Sequence, residues 1–130
     1  MSMFDDAMSV TMSGLKAQAT RLRVITENIA NVDTPGFRRK MVPFQVEDAS
    51  SGLINQVKVG KVELDDSELP DIHDPGHPMA NDSGYYQGSN VNIVIEIADA
   101  REAQRSYEAN LKMYEQTKTM TAGLMDLLRN

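Results

Sequence analysis

The sequence has no cysteine and no tryptophan in 130 residues. Disulfides, thiolate metal sites and a cysteine nucleophile are therefore excluded. Aromatic residues make up only 5% of the chain, while Met occurs nine times. A core built this way is aliphatic and adaptable, with few rigid anchors. No segment approaches the roughly 20 consecutive apolar residues that span a membrane. The opening residues, MSMFDDAMSV, carry two acids and no basic run ahead of an apolar block. They do not read as a secretory signal, so any passage out of the cytoplasm is expected to use a route without a cleaved leader. Excess positive charge is also missing. The net charge of −6 speaks against a general nucleic-acid surface.

The acidity is local. Residues 45–90 hold two basic and nine acidic side chains, whereas 1–44 hold six and four, and 91–130 hold five and six. The middle third is thus strongly anionic between two nearly neutral ends.

Those ends are helical by pattern. Met8, Met12, Leu15, Ala19, Leu22, Ile25 and Ile29 follow the three-and-four spacing of one helix face, so the spacing predicts a helix over 4–30. Gly14 weakens it by about 1 kcal/mol relative to Ala without breaking the pattern. A second helix is expected over 93–129, with Asn92 as N-cap and Glu96 and Asp99 near its positive end. One stripe on it runs Ile93, Ile97, Ala100, Gln104, Tyr107, Leu111, Tyr114, and is assigned to the first helix. Another runs Met113, Thr117, Met120, Leu124, Leu127, with Met125 and Leu128 beside it. A helix of this length spans roughly 55 Å, too long to lie inside a compact chain with a radius of gyration of about 14 Å. The expected fold is therefore mainly α: an antiparallel, coiled-coil-like pair of long N- and C-terminal helices with a small β-rich middle segment. Its divisions are 1–37, 38–91 and 92–130. The second stripe calls for helices from other subunits.

In the middle segment, 39–46 and 54–64 read as short strands, with Gly60 shifting the alternation between Val59 and Val62. Residues 65–84 are a turn-rich acidic loop with extended pieces, and 84–90 offers one more short strand.

The first helix stops on ANVDTPGF, residues 30–37. Asn31 suits a left-handed closing position with its side chain toward the Asp33 N–H. Thr34, ahead of Pro35, is pushed out of helical conformation, and its hydroxyl is placed to reach the Gly36 N–H. Pro35-Gly36 fits the centre of a type II turn, with Phe37 starting an extended segment. Locally this is a well-made helix stop. It also resembles the ANxxTxGY/F signature of the flagellar axial proteins, with Phe37 where Tyr is common. The run NVNIVIEIADAREAQRSYEANLKMYEQTKTM (90–120) resembles the matching C-terminal helix, and residues 74–93 resemble a segment of the small proximal-rod members of the flagellar basal-body rod protein family. The likeness covers about 70 of the 130 residues. It implies a structural role without enzymatic activity or cofactor. Subunits would stack through their terminal helices into a tube that transmits torque and continues the export channel. Expected partners are copies of the chain, other proximal and distal rod subunits, and membrane-ring or export-gate adaptors. The expected location is the periplasmic rod, reached by type III export. The residues assigned to packing and assembly are Leu15, Leu22, Ile29, Asn31, Thr34, Pro35, Gly36, Phe37, Tyr107, Leu111, Met113, Tyr114, Met120, Leu124 and Leu127. The alternative from another class is a self-contained helical-hairpin adaptor that binds one partner helix.

Chemistry candidates are weak. His73, Asp74 and His77 sit in a Pro-Gly loop, where an ordinary acidic loop is preferred to a metal site. Asp65, Asp66 and Glu68 lack the twelve-residue calcium pattern. No serine elbow or base partner is present, and no small-molecule substrate is expected. Arg38, Arg39 and Lys40 read either as a solvated strand end or as partners for the acidic middle of a neighbouring subunit.

Overall fold

A computed structural model describes residues 2–48 and 55–129. Helix α1 spans Ser2–Ala30 and ends where Pro35 and Gly36 forbid continuation. The middle segment forms six short strands: β1 (Lys40–Met41), β2 (Phe44–Asp48), β3 (Asn55–Val59), β4 (Glu63–Leu64), β5 (Asp71–His73) and β6 (Tyr85–Gln87). Helix α2 spans Ile93–Arg129. Asn92 caps it through its Oδ1, which accepts the Val94 N–H at 3.1 Å.

The strands make three separate antiparallel ribbons, β1–β4, β2–β3 and β5–β6. The Gly60 N–H still continues the β2–β3 ladder, donating to the Pro43 carbonyl at 2.9 Å; the phase shift comes just beyond it, where β4 pairs with β1 in a register offset by one residue. Residue 54 lies outside the described residues. The loop assigned to 65–84 holds a strand the alternation did not reveal, because β5 is three residues long and entirely exposed.

Helix α1 is covered on two sides, by α2 and by β3. This rotates its buried arc from the expected stripe. Leu15 and Ile25 are buried, but Met12 and Ala19 are exposed, and Ala17 and Val24 join the core. Leu22 and Ile29 are half-buried. The helices run antiparallel in a fixed register. Asn28 faces Glu96, Arg21 faces Asp99 and Glu102, and Gly14 faces Asn110.

The seam on α2 corrects the assignment of its first stripe to α1. The inward row is Glu96, Ala103 and Asn110, seven residues apart, while Ile93, Ile97 and Leu111 stand exposed. Tyr107 and Tyr114 are half-buried beside this row. The reason is close approach. A Cβ on Gly14 would lie 2.9 Å from Asn110 Oδ1, so the helices meet over small and polar groups and leave the long aliphatics outside.

Candidate assembly surfaces

The turn after α1 is built differently from its local reading. Asn31 and Val32 donate to the carbonyls of Asn28 and Ile29 at 3.1 and 3.3 Å, tightening the helix end. Among the described residues, positive φ occurs at Gly36 (74°) and Gly84 (83°) alone, so Asn31 is not left-handed. Its side chain reaches back instead. Nδ2 donates to the Glu27 carbonyl at 2.8 Å, satisfying a group that the helix end leaves without a partner. Its Oδ1 accepts the Thr34 hydroxyl at 3.0 Å, which takes that hydroxyl away from Gly36. The Pro35-Gly36 turn does close, with the Phe37 N–H on the Thr34 carbonyl at 3.2 Å and Gly36 supplying the required φ. The Gly36 N–H is thereby freed to donate to the Gln87 carbonyl of β6 at 3.1 Å. The turn is a seat for the β5–β6 ribbon.

Immediately after it, the chain crosses the start of α2 and forms a polar junction. Asn28, 1% exposed, brackets the Lys40 backbone: Nδ2 donates to its carbonyl and Oδ1 accepts its N–H, both at 2.9 Å. Glu96 is fully buried and accepts from the Arg39 Nε. Arg39 also reaches Asp99 at 3.4 Å and Asp65 at 3.6 Å. Lys40 pairs with Glu27, and Arg38 donates to the carbonyls of Asp65 and Ser67 at 3.3 and 3.2 Å. Asn90 closes the ring, accepting the Arg39 N–H and donating to the Asp65 carbonyl at 3.1 Å.

Burial works against the Arg39 charge, but the Glu96 hydrogen bond and the fields of Glu96, Asp99 and Asp65 outweigh it and hold its pKa above the ordinary value. The Ser67 hydroxyl and backbone N–H, with smaller help from Arg39, hold Asp65 below the usual carboxylate range. The basic cluster is therefore neither a solvated strand end nor a set of free cations for a neighbour. Its charges are engaged within the chain. Asn28 and Asn90 carry no role in the sequence reading, and Glu96 only that of an acid near the positive end of α2. The available signal was a polar Asn28 between Ile25 and Ile29 on an otherwise apolar face.

The histidines are ring platforms in the third ribbon. His73 meets Tyr85 edge-on at 4.7 Å, and His77 stacks on Tyr86 at 3.9 Å.

At the opposite end the surface changes. Continued at the observed register, the start of α1 comes level with Thr121, so the last two turns of α2 extend past it. There Leu127 and Leu128 are 75% and 73% exposed, Met125 more than half and Leu124 36%; Met113 and Met120, alongside α1, are also more than half exposed. Within the second stripe Thr117 is half-buried, while Met113, Met120 and Leu127 stand open. No described helix is long and apolar enough to cross a membrane.

Residues 8–38 match the family described as flagella basal body rod protein, and residues 82–127 match the C-terminal family described as flagellar basal body rod FlgEFG protein. The flagellar basal-body rod protein FlgC of Agrobacterium fabrum is 46% identical, aligned over 95% of this chain and 94% of that protein. This chain belongs to the flagellar basal-body rod protein family. FlgC proteins of Bacillus subtilis (34% identical, 93% of this chain and 95% of that protein) and Escherichia coli O6:H1 (37%, 83% and 85%) are similar along comparable spans. The two matched segments of this rod protein coincide with the structure: 8–38 takes in most of α1, its turn and the first junction residues, while 82–127 takes in β6 and nearly all of α2. The part between them holds the ribbons β1 to β4 and the acids of the loop.

Proposed function

We propose that this chain is a structural, non-enzymatic subunit of the proximal rod of the bacterial flagellum, built into a tubular assembly by packing of its two terminal helices. One observation carries the reading beyond family membership. The far end of α2 exposes Met113, Met120, Met125, Leu127 and Leu128, an apolar surface that in a rod subunit calls for helices from neighbours. Leu15 serves packing inside the chain, since it is buried there. Met113, Met120, Leu124 and Leu127 serve packing between chains, and Tyr107, Leu111 and Tyr114 lie at the boundary of the two surfaces. The turn residues Asn31, Thr34, Pro35, Gly36 and Phe37 fix where the β5–β6 ribbon stands relative to the helices.

Partners in this reading are copies of the chain and other rod subunits, and beyond them the ring and export-gate adaptors on which the rod is founded. Its place is the periplasmic rod. A self-contained adaptor would hide its helix faces or leave a single groove, whereas here apolar side chains are open near both ends of α2.

Limited proteolysis with circular dichroism tests this, on the purified chain and on isolated basal bodies. The expected result is rapid cutting after about Met120 in the free chain and protection of the same bonds in the basal body. Full resistance of the free chain, or its absence from basal bodies, overturns the reading.

A further inference from the structure

A shallow groove on the outward face of α2 is lined by Val94, Ile97, Ala98, Arg101, Glu102 and Arg105. Val94 is 72% exposed, and Ile97 is open beside it. Glu102 is already occupied, by Arg21 at 3.5 Å. Arg101 and Arg105 make no hydrogen bond or ion pair with any described residue. Two guanidinium groups thus stand one helical turn apart, roughly 6 Å, at the edge of uncovered aliphatic surface.

A matching surface lies on the same chain. The register of β5 and β6 pairs Asp71 with Gln87 and His73 with Tyr85, which puts all four side chains on one face of the ribbon. Asp71 is exposed and forms no ion pair with a described residue. Tyr85 is exposed, and His73 meets it edge-on. Asp71 and the ring pair are two strand positions apart, roughly 7 Å, close to the spacing of the two arginines. A carboxylate beside an aromatic face suits that arginine pair, one by ion pairing and the other by stacking. Within the chain the two surfaces do not meet. The ribbon is held at its base, through Gly36 to Gln87 and Asn90 to Phe37, and packs on neither helix to any extent.

We propose that the Asp71–His73–Tyr85 face of one copy docks onto the Val94–Ile97–Arg101–Arg105 face of a second copy. A second copy is the occupant because both halves of the complementarity are present on this chain and neither is used inside it. The inference rests on the rod-subunit reading and names one contact within it.

The lack of cysteine makes the test clean. Two differently tagged chains, one carrying Ala98→Cys and the other Gln87→Cys, are expressed together, and isolated basal bodies are treated with a short bis-maleimide. Both positions are exposed, so neither change disturbs folding. A cross-link between the two tags is expected. Adding Arg101→Glu and Arg105→Glu to the first chain lowers its yield about tenfold, and adding Asp71→Arg to the second restores it. If both tagged chains enter basal bodies and no link forms, or its yield ignores the charge reversals, the contact is wrong and the rod reading stands. If the unsubstituted chain is itself missing from basal bodies, the rod reading fails and this contact with it.

Discussion

Where α1 ends and α2 begins, the interior is charged and closed: fully buried Glu96 is held by Arg39, and Asn28 clasps the Lys40 backbone. Where α2 ends, the surface is apolar and open, with Met125, Leu127 and Leu128 largely uncovered. An ordinary globular domain does the reverse, burying its leucines and exposing its acids. The inversion is intelligible for an assembly subunit. The polar end specifies one arrangement of three chain segments, because a charged or amide group finds its partners in only one register. The apolar end is left for neighbours, because aliphatic packing is strong and undemanding about the partner's identity.

The polar end breaks most severely when one partner of the buried pair is removed. Glu96→Ala leaves Arg39 with only Asp99 and Asp65 and is expected to cost about 2–4 kcal/mol, somewhat less than for a fully enclosed pair because the Arg39 side chain is 23% exposed. Urea unfolding followed by circular dichroism reads this, and a loss under about 0.5 kcal/mol would show that the junction is ornamental. The double variant Glu96→Leu, Arg39→Met sharpens the point. It should recover most of the stability, since a hydrophobic pair can replace a buried ionic one, while cysteines placed at Arg21 and Glu102 cross-link less completely as the helix register loosens.

Next comes the seam between the two ends. Gly14→Val pushes a branched side chain into the Asn110 amide and should cost about 1–3 kcal/mol. In an Asn110→Ala background the clash is gone, and Gly14→Ala should stabilise by about 1 kcal/mol through helix propensity alone. If Gly14→Ala is equally stabilising with Asn110 in place, the helices do not approach as closely as described.

At Gly36 the cause is different. A Cβ there meets nothing within 4 Å, so only the φ of 74° resists substitution. Gly36→Val is expected to cost about 1–3 kcal/mol as backbone strain, and Gly36→Asn distinctly less. Equal costs for the two would mean that packing is the constraint at this position.

These sites show why the sequence was legible in some places and not in others. Both helices are long, so their periodicity is sampled over many turns, and their ends carry unambiguous signals in Asn92 and in Pro35-Gly36. The orientation of α2 was not legible, because hydrophobic spacing reports an apolar face without saying what covers it. Ile93, Ile97 and Leu111 make a clear stripe, yet the seam runs through Glu96, Ala103 and Asn110. The junction was hidden for a related reason. Arg39, Asp65 and Glu96 are far apart in the chain, and an arginine in a basic run looks the same whether it faces water or a buried carboxylate. Gly14, a weak point of α1 by helix propensity, stands directly against the Asn110 side chain.

A smaller effect is expected from acid. Asp65 has a folded-state pKa below its unfolded value, so its contribution to stability is present above the unfolded value and is lost as pH falls through the folded one. Arg39 is shifted upward, so its own titration removes stability only in strong alkali. Stability should therefore decline on the acid side, and Ser67→Ala, which removes the hydroxyl bond that most depresses Asp65, should make that part of the decline shallower. Identical acid profiles for the two proteins would remove Asp65 from the account.

The smallest effect on the isolated chain is expected at the apolar end, and there the contrast between the two regions is sharpest. Leu124 is 36% exposed near the open end of α2, so Leu124→Asp should change the unfolding free energy by no more than about 1 kcal/mol and leave solubility and helix content intact. In the assembly the same side chain would be buried against a neighbouring helix, where an unpaired carboxylate is costly. The variant chain should therefore be absent from basal bodies while accumulating normally, as measured by immunoblot of whole cells and of the purified organelle. Normal incorporation would mean that the open end of α2 is not an interface, and that the long helix is exposed for some purpose other than packing.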